Sequence, residues 1–339
     1  MLLSAALALA LAHTAFVTAR HPFNGKTRIP NGQHRAYLSK TNHTDAPAVR
    51  WPQQGQAALV LGNGRPAASQ YEQPVPIASL AKAMTAYLVL ERYPLNGAQD
   101  GFTTTVSAVE AQAVAQDRAE GQSVVAVVAG EQLTERELLE ALLIPSGNNI
   151  AGMLATVLAG SETRFVADMN TEARALGMDH TTYTDPSGFD PSTVSTAADQ
   201  LRVFQAAMRF SVFRQIVSTG IVTLPVAGTL TNFNPLSAEG YAGKTGSDSA
   251  ARGCLAFFTH VTVSGRQQTA AGVVLGQGQG SNTSALLAAA GQAAQQLVNS
   301  TAPMTRVRAI AAPDASGDPI RDADGHRRPL PPAPPSAQP

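Results

Sequence analysis

The spacing of apolar residues changes period twice along this chain, and that order restricts the folds open to it. The run Gln56–Leu61 reads as a strand and is followed by the turn residues Gly62, Asn63 and Gly64. Pro74 and Pro76 then interrupt regular structure. From Ser79 the spacing is helical: Leu80, Met84, Tyr87, Leu88 and Glu91 fall in register over 79–92, and Pro94 ends the run. Further helices are predicted over 134–143, 147–158, 162–176 and 196–210. Thr134 and Glu137 match a capping box, and Gly177 closes the third of these. The period then reverts to that of strands over 221–226, 241–246, 253–263 and 268–275, before an alanine-rich helix over 284–298. Consecutive strands joined by short turns imply an antiparallel sheet. The fold class expected is mixed α/β (α+β): an antiparallel sheet flanked by helices, with the first strand joining the last ones and a mostly helical lobe inserted. A cleft between sheet and lobe is the expected place for a site.

The ends of the chain fall outside this pattern. Residues 1–19 form a signal-like apolar segment in which Leu2 to Val17 are almost all apolar or small. That run of about 16 residues is shorter than the roughly 20 a membrane-spanning helix needs. It reads as the core of a secretory signal, with Ala10, Ala12 and Ala19 as small cleavage flanks. No basic residue precedes it, which leaves open an earlier start or an uncleaved membrane attachment; a buried core helix is the bland alternative. Residues 20–48 are a polar linker. The folded unit is expected over 49–308, and 309–339 is a proline-rich tail that cannot build a core.

Charge and cysteine content narrow the function. With 24 basic and 24 acidic residues the formal net charge is zero, so nothing favours nucleic-acid binding. Cys254 is the only cysteine. No intramolecular disulfide can form, and a lone cysteine in an apolar run reads as a small buried hydrophobe. Of the 24 basic residues only Lys26, Lys40, Lys82 and Lys244 are lysines. Arginine keeps its proton in a protein whereas a desolvated lysine can lose it, so a lysine kept in an arginine-rich chain is informative. Lys26 and Lys40, in a polar loop-like stretch, read as chance.

Three short motifs carry the chemistry. Ser79-Leu80-Ala81-Lys82 sits at a predicted helix start. Lys82 therefore lies one turn on, on the same face as Ser79. Serine needs a base to act as a nucleophile, and the helix start offers free N–H groups to a developing oxyanion. A neutral Lys82 could take the Ser79 proton if burial and a second cation lower its pKa, and Lys244 is the candidate cation. Ser146-Gly147-Asn148 lies in a turn between two helices and offers a hydroxyl and an amide. Lys244-Thr245-Gly246 lies on a strand; it could offer a cation and a hydroxyl to a carboxylate, with Gly246 allowing a ligand close to the backbone. Taken singly, each is better read blandly: an N-cap serine with a surface lysine, a plain turn, a strand end. Their order and contexts together carry the weight, since two of four lysines fall in them.

With these motifs the chain resembles the D-alanyl-D-alanine carboxypeptidases among the low-molecular-mass, serine-type penicillin-binding proteins, over about residues 50 to 300. Further matching text includes Ala83-Met84-Thr85-Ala86-Tyr87 after the first motif, Asn149 after the second, Met169-Asn170 through Leu176-Gly177-Met178, Asp185-Pro186-Ser187-Gly188-Phe189, and Ser195-Thr196-Ala197-Ala198-Asp199. The resemblance implies a β-lactamase/DD-peptidase-like fold and removal of the terminal D-alanine from peptidoglycan stem peptides ending in D-Ala-D-Ala. It implies a secreted or cell-envelope enzyme without a cofactor or metal, acylated by β-lactam antibiotics as covalent inhibitors. By that resemblance Ser79 is the acylated nucleophile, Lys82 its general base, and Ser146 the relay to the leaving amine. Asn148 would hold Lys82 or the substrate amide, and Lys244 and Thr245 would bind the terminal carboxylate. The backbone N–H groups of Ser79 and Ser247 would form the oxyanion hole. Family members often add an arginine beyond the Lys-Thr-Gly strand; Arg252 and Arg266 are candidates, and neither aligns clearly.

Other readings make different demands. A class A β-lactamase would carry a Glu-x-x-Leu-Asn segment between the second and third motifs, and none of the acids there (Glu162, Asp168, Glu172, Asp179, Asp185, Asp190, Asp199, Glu239) matches it. A non-catalytic envelope protein keeping the fold would not need all six motif residues. A lipase-type hydrolase would need a Gly-x-Ser-x-Gly elbow, which does not occur.

Overall fold

The first long strand of the chain lies beside its last. In the computed structural model, which describes residues 49–263 and 265–301, β1 (Gln56–Leu61) is followed by β2 (Ala67–Ala68) and β3 (Val75–Pro76). A 3-10 turn, Ala78–Ala81, leads into α1 (Lys82–Arg92). The helical lobe then runs through β4 (Thr103–Thr105), α2 (Ala108–Ala119), β5 (Gln132–Thr134), α3 (Glu135–Leu143), α4 (Asn148–Ala159) and α5 (Glu162–Ala175). Next come β6 (Val194–Ser195), α6 (Ala197–Ala207), α7 (Ser211–Ser218), and the pair β7 (Ile221–Leu224) and β8 (Gly228–Thr231). The chain returns to the sheet with β9 (Ala242–Asp248), β10 (Arg252–Val263) and β11 (Arg266–Gln277), and α8 (Thr283–Asn299) follows. The sheet order is β2-β1-β11-β10-β9, antiparallel throughout, with Gln56 opposite Leu275 and Leu61 opposite Ala270. The expected closure of first strand on last is therefore present.

Both faces of this sheet are buried, which explains why β1 reads as an unbroken apolar run. Ala58 and Val60 join the larger core with Met84, Leu139 and Phe204 of the helices. Ala57 and Leu59 point the other way, into a smaller core with Phe257 and with Leu297 of α8. Each fully buried Leu or Phe of these cores contributes about 1.5–3 kcal/mol of transfer free energy. Cys254 is wholly buried, as expected, and burial pushes its thiol up to about 12.

Two expectations change. The helix expected over 196–210 ends at Ala207, and a further helix, α7, which was not expected, begins at Ser211 after extended backbone at Phe210. The strand expected over 221–226 does not enter the sheet; Ile221–Leu224 pairs only with Gly228–Thr231. The unassigned stretch 95–133 contains α2 and the β4–β5 pair. A signal for α2 was present: Ser107 and Glu110 form a capping box like that of Thr134 and Glu137. The segments 1–19, 20–48 and 309–339 lie outside the described residues, as do Lys26 and Lys40, and the expected unit 49–308 runs past the last described one. Among the described residues no helix is long and apolar enough to cross a membrane.

α8 packs tightly on the sheet at Gly253, where a β-carbon would lie 2.0 Å from the Leu286 carbonyl oxygen. Gly253→Ala is expected to destabilise by about 1–3 kcal/mol through forced repacking. Gly220→Ala, which meets nothing within 4 Å, should stay within about 0.5 kcal/mol of wild type. Thermal midpoints of the two variants check this directly.

Candidate active site

The Ser79 turn is tight and strained. Ile77 precedes it without any side-chain cap bond, so Ser79 is not spent as an N-cap. Ala78 has φ of 46°, a value that costs a residue with a β-carbon about 1–3 kcal/mol. Gly188 packs against it: a β-carbon there would lie 1.9 Å from the Ala78 carbonyl oxygen, and the Gly188 φ of 79° already favours glycine. One turn on, Lys82 is fully buried. Its Nζ lies 2.8 Å from Ser79 Oγ, 2.6 Å from Asn148 Oδ1 and 2.9 Å from the Ser187 carbonyl oxygen. A surface lysine is thereby excluded.

The second motif is buried too, unlike a plain turn. Ser146 is 5% exposed and has φ of 66°, again left-handed without glycine. Lys244, 1% exposed, donates to Ser146 Oγ at 2.9 Å and to the Thr245 carbonyl at 2.8 Å. Lys244, Thr245, Gly246 and Ser247 lie on the edge strand β9, opposite Ala256, Leu255, Cys254 and Gly253 of β10. Gly246 was expected to admit a ligand. What approaches it is the nucleophile turn, since a β-carbon there would sit 2.9 Å from the Ile77 carbonyl oxygen and 3.0 Å from the Ser79 backbone nitrogen.

Burial is the main force on both amines, because it penalises the charged form. Lys82 is held well below the ordinary lysine range by burial and then by the Lys244 cation, with Asp185 opposing. Lys244 is brought down to about 7 by burial. A charged Lys82 has three N–H groups for its three oxygen partners. A neutral Lys82 can donate to Asn148 Oδ1 and the Ser187 carbonyl and keep its lone pair for the Ser79 hydroxyl. The arrangement can therefore withdraw a proton from serine.

Residues of the Asp185–Asp190 loop escaped the sequence-based site list. Asp185 accepts from the backbone N–H groups of Ser187 (3.0 Å), Gly188 and Asp190 (2.6 Å), which fixes the Ser187 carbonyl towards Lys82. Thr85, one helical turn from Lys82, donates to the Pro186 carbonyl at 2.6 Å. The loop text was visible; a main-chain carbonyl acting as the ligand was not. Of the two arginines, Arg266 pairs with Val263, seven residues along β10 from the partner of Lys244 and so about 23 Å away at roughly 3.3 Å per residue. Arg252, exposed and with φ of 57°, faces Asp248 just beyond Ser247.

The lysines make a stability prediction with a definite sign. The unfolded chain holds the Lys244 proton up to its ordinary value near 10.5, while the folded chain loses it near 7. Between these values the unfolded state binds more protons, so stability rises with pH. Lys244→Met should therefore gain stability relative to wild type below pH 7, and the gain should fade towards pH 10. Chemical denaturation of both proteins across this range measures the difference.

Comparison with known proteins places this geometry. Residues 66–278 match the family model described as D-alanyl-D-alanine carboxypeptidase. The chain is 36% identical over 153 residues to D-alanyl-D-alanine carboxypeptidase DacB2 of Mycobacterium tuberculosis, covering 44% of this chain and 48% of that protein. It is 34% identical over 147 residues to a D-alanyl-D-alanine endopeptidase of Pseudomonas aeruginosa, covering 43% of this chain and 44% of the relative. The matched stretches thus span just under half of these relatives. The crystal structure of the Streptomyces K15 DD-transpeptidase superposes with a TM-score of 0.63 at 26% identity, over 75% of this chain and 99% of the other. The fold is that of the DD-peptidases, and the chain belongs to the D-alanyl-D-alanine carboxypeptidase family.

Proposed function

We propose that the chain is a serine-type D-Ala-D-Ala carboxypeptidase that works through a Ser79 acyl-enzyme. The observation that carries this reading is the buried Lys82 amine, held by two fixed acceptors and 2.8 Å from Ser79 Oγ. Lys82 takes the Ser79 proton as Oγ attacks the carbonyl between the two D-alanines. The carbonyl oxygen becomes an oxyanion facing the backbone N–H groups of Ser79 and Ser247, a pairing supported by the close packing of Gly246 on the Ser79 nitrogen. The C–N bond breaks as the proton taken by Lys82 is passed to the leaving D-alanine amine through the Ser146 hydroxyl, which Lys244 holds, and Lys82 is neutral again. Water then attacks the Ser79 ester and gives its proton to Lys82; the C–Oγ bond breaks, the shortened peptide leaves as its carboxylate, and Lys82 returns the proton to Ser79 Oγ. Lys244 and Thr245 hold the terminal carboxylate of the substrate, and Asn148 holds Lys82.

The substrates on this reading are peptidoglycan stem peptides ending in D-Ala-D-Ala, met outside the cytoplasm, with the N-terminal apolar segment serving export or membrane attachment. Relatives are named carboxypeptidase, endopeptidase and transpeptidase, so the acceptor, water or amine, is the finer question. A β-lactamase reading gains no support, because the acids between Ser146 and Lys244 lack the Glu-x-x-Leu-Asn pattern that would activate water against a penicilloyl ester.

Benzylpenicillin should add its mass once per chain, on the peptide containing Ser79; no adduct on wild type, or an equal adduct on Ser79→Ala, removes the assignment. Lys82→Arg puts a permanent cation where a neutral base is needed and should abolish acylation, whereas Lys244→Arg should keep measurable activity. Equal behaviour of the two variants would merge roles that are separated here.

Release of D-alanine from a diacyl-Lys-D-Ala-D-Ala peptide should outpace penicillin hydrolysis. An amidated peptide should be slower by about tenfold or more, the loss of a charge-assisted hydrogen bond. Rapid penicillin turnover beside an intact peptide would instead favour a β-lactamase.

A further inference from the structure

An asparagine amide has nearly the same shape either way round, so something beyond Asn148 must decide whether its oxygen or its nitrogen meets Lys82. The choice matters for the base. With Oδ1 towards the lysine, a neutral Lys82 donates to Oδ1 and to the Ser187 carbonyl, and its lone pair is left for the Ser79 O–H. With Nδ2 towards the lysine, the lone pair would accept from Asn148. Lys82 would then donate to Ser79 Oγ, the wrong direction for removing a proton.

A directed chain of hydrogen bonds settles the choice, and it begins at the end of α2. Asn148 Nδ2 donates to Gln122 Oε1 at 3.0 Å. Gln122 Nε2 donates in turn to Asp117 Oδ1 at 3.4 Å and Glu120 Oε2 at 3.3 Å. Ionised carboxylates only accept, so Gln122 must turn its NH₂ to them and its oxygen to Asn148. The segment bearing Gln122 is tied to the start of α4 by three more bonds. Asn148 N donates to the Ser123 carbonyl at 2.7 Å, Asn149 Oδ1 accepts from Val125 N at 3.0 Å, and Asn149 Nδ2 donates to the Val125 carbonyl at 2.9 Å.

We propose that Gln122 is a positioning residue of this site: anchored by the carboxylates of Asp117 and Glu120, it sets the amide polarity of Asn148 and so directs the Lys82 lone pair to Ser79. The assignment rests on the acylation chemistry proposed above. It gives the acidic end of α2, which belongs to none of the three motifs, a part in orienting the base.

Two variants of the full chain test it. Gln122→Met is close in volume and can neither donate nor accept through N or O; Gln122→Glu is an obligate acceptor. Benzylpenicillin acylation of Ser79, followed by intact mass, is expected to slow about three- to tenfold in Gln122→Met, the loss of one neutral hydrogen bond. Gln122→Glu keeps an acceptor facing Asn148 but sets a third carboxylate against Asp117 and Glu120, so it should slow less than Gln122→Met without reaching wild-type speed. Wild-type speed in Gln122→Met, or equal slowing in both variants, overturns the role. If wild type itself takes up no penicillin on Ser79, the acylation reading fails instead, and side-chain amide exchange measured by NMR decides the positioning. The Asn148 Nδ2 protons should exchange about fivefold faster or more in Gln122→Met than in wild type, and unchanged exchange would overturn the proposal.

Discussion

Two lysine amines buried within reach of each other's charge are the constraint around which this molecule is organised. An ammonium taken out of water is costly unless its hydrogens find oxygen partners or its proton is released. Flexible surface groups cannot supply such partners reliably. Here they come from fixed positions on separate elements: the Ser187 carbonyl from a loop, Asn148 from the first turn of α4, Ser146 from the turn before it, and the Thr245 carbonyl from β9. The sheet edge and the helical lobe must both be in place before either amine is satisfied. That requirement gives a physical reason for the long insertion between β1 and the strands it pairs with.

The same region holds two of the backbone irregularities. Ala78 precedes the nucleophile and Ser146 opens the second motif, and both have left-handed φ without being glycine. Such conformations persist only where surrounding packing over-determines them. At Ala78 the packing is visible: Gly188 sits against its carbonyl and Gly246 against the neighbouring Ile77 carbonyl, each leaving no room for a β-carbon. Rigid placement of Ser79 therefore draws on the stability of both cores, which meet at the sheet.

Much of this was legible in the sequence, and what was missed shares a physical cause. Long apolar periodicity located β1, β10, β11, α1 and α8, because each buries a whole face. Ser79, Lys82, Ser146, Asn148 and Lys244 were legible as side-chain types in a fixed order. The structure joins Ser79, Lys82 and Asn148 through one amine, and Ser146 to Lys244 through the other. What escaped was short or carried by main chain. Helix α2 buries only Val114, so it has almost no apolar stripe and only its capping box announced it. The β7–β8 hairpin alternates like a sheet strand but stands apart, with Ile221 exposed. The Ser187 carbonyl bears no side-chain signature, and Gln122 gains meaning only from the carboxylates beside it.

The two amines are not equivalent, and the difference orders their roles. Both are depressed by burial, and the Lys244 charge adds to the depression of Lys82, which falls well below the ordinary lysine range. Two cations in a dry cleft repel, so the first proton to leave is the one on Lys82. The singly charged state that results has a neutral amine beside Ser79 and a cation beside Ser146 and Thr245. On the function proposed, those two states supply a base at one end of the substrate and a positive anchor at its carboxylate end. An arriving carboxylate would stabilise the proton on Lys244, and the retained charge would keep Lys82 neutral. Arginine could replace the anchor in charge but could never take the part of the base, which fits the presence of lysine at position 82 in a chain that otherwise favours arginine.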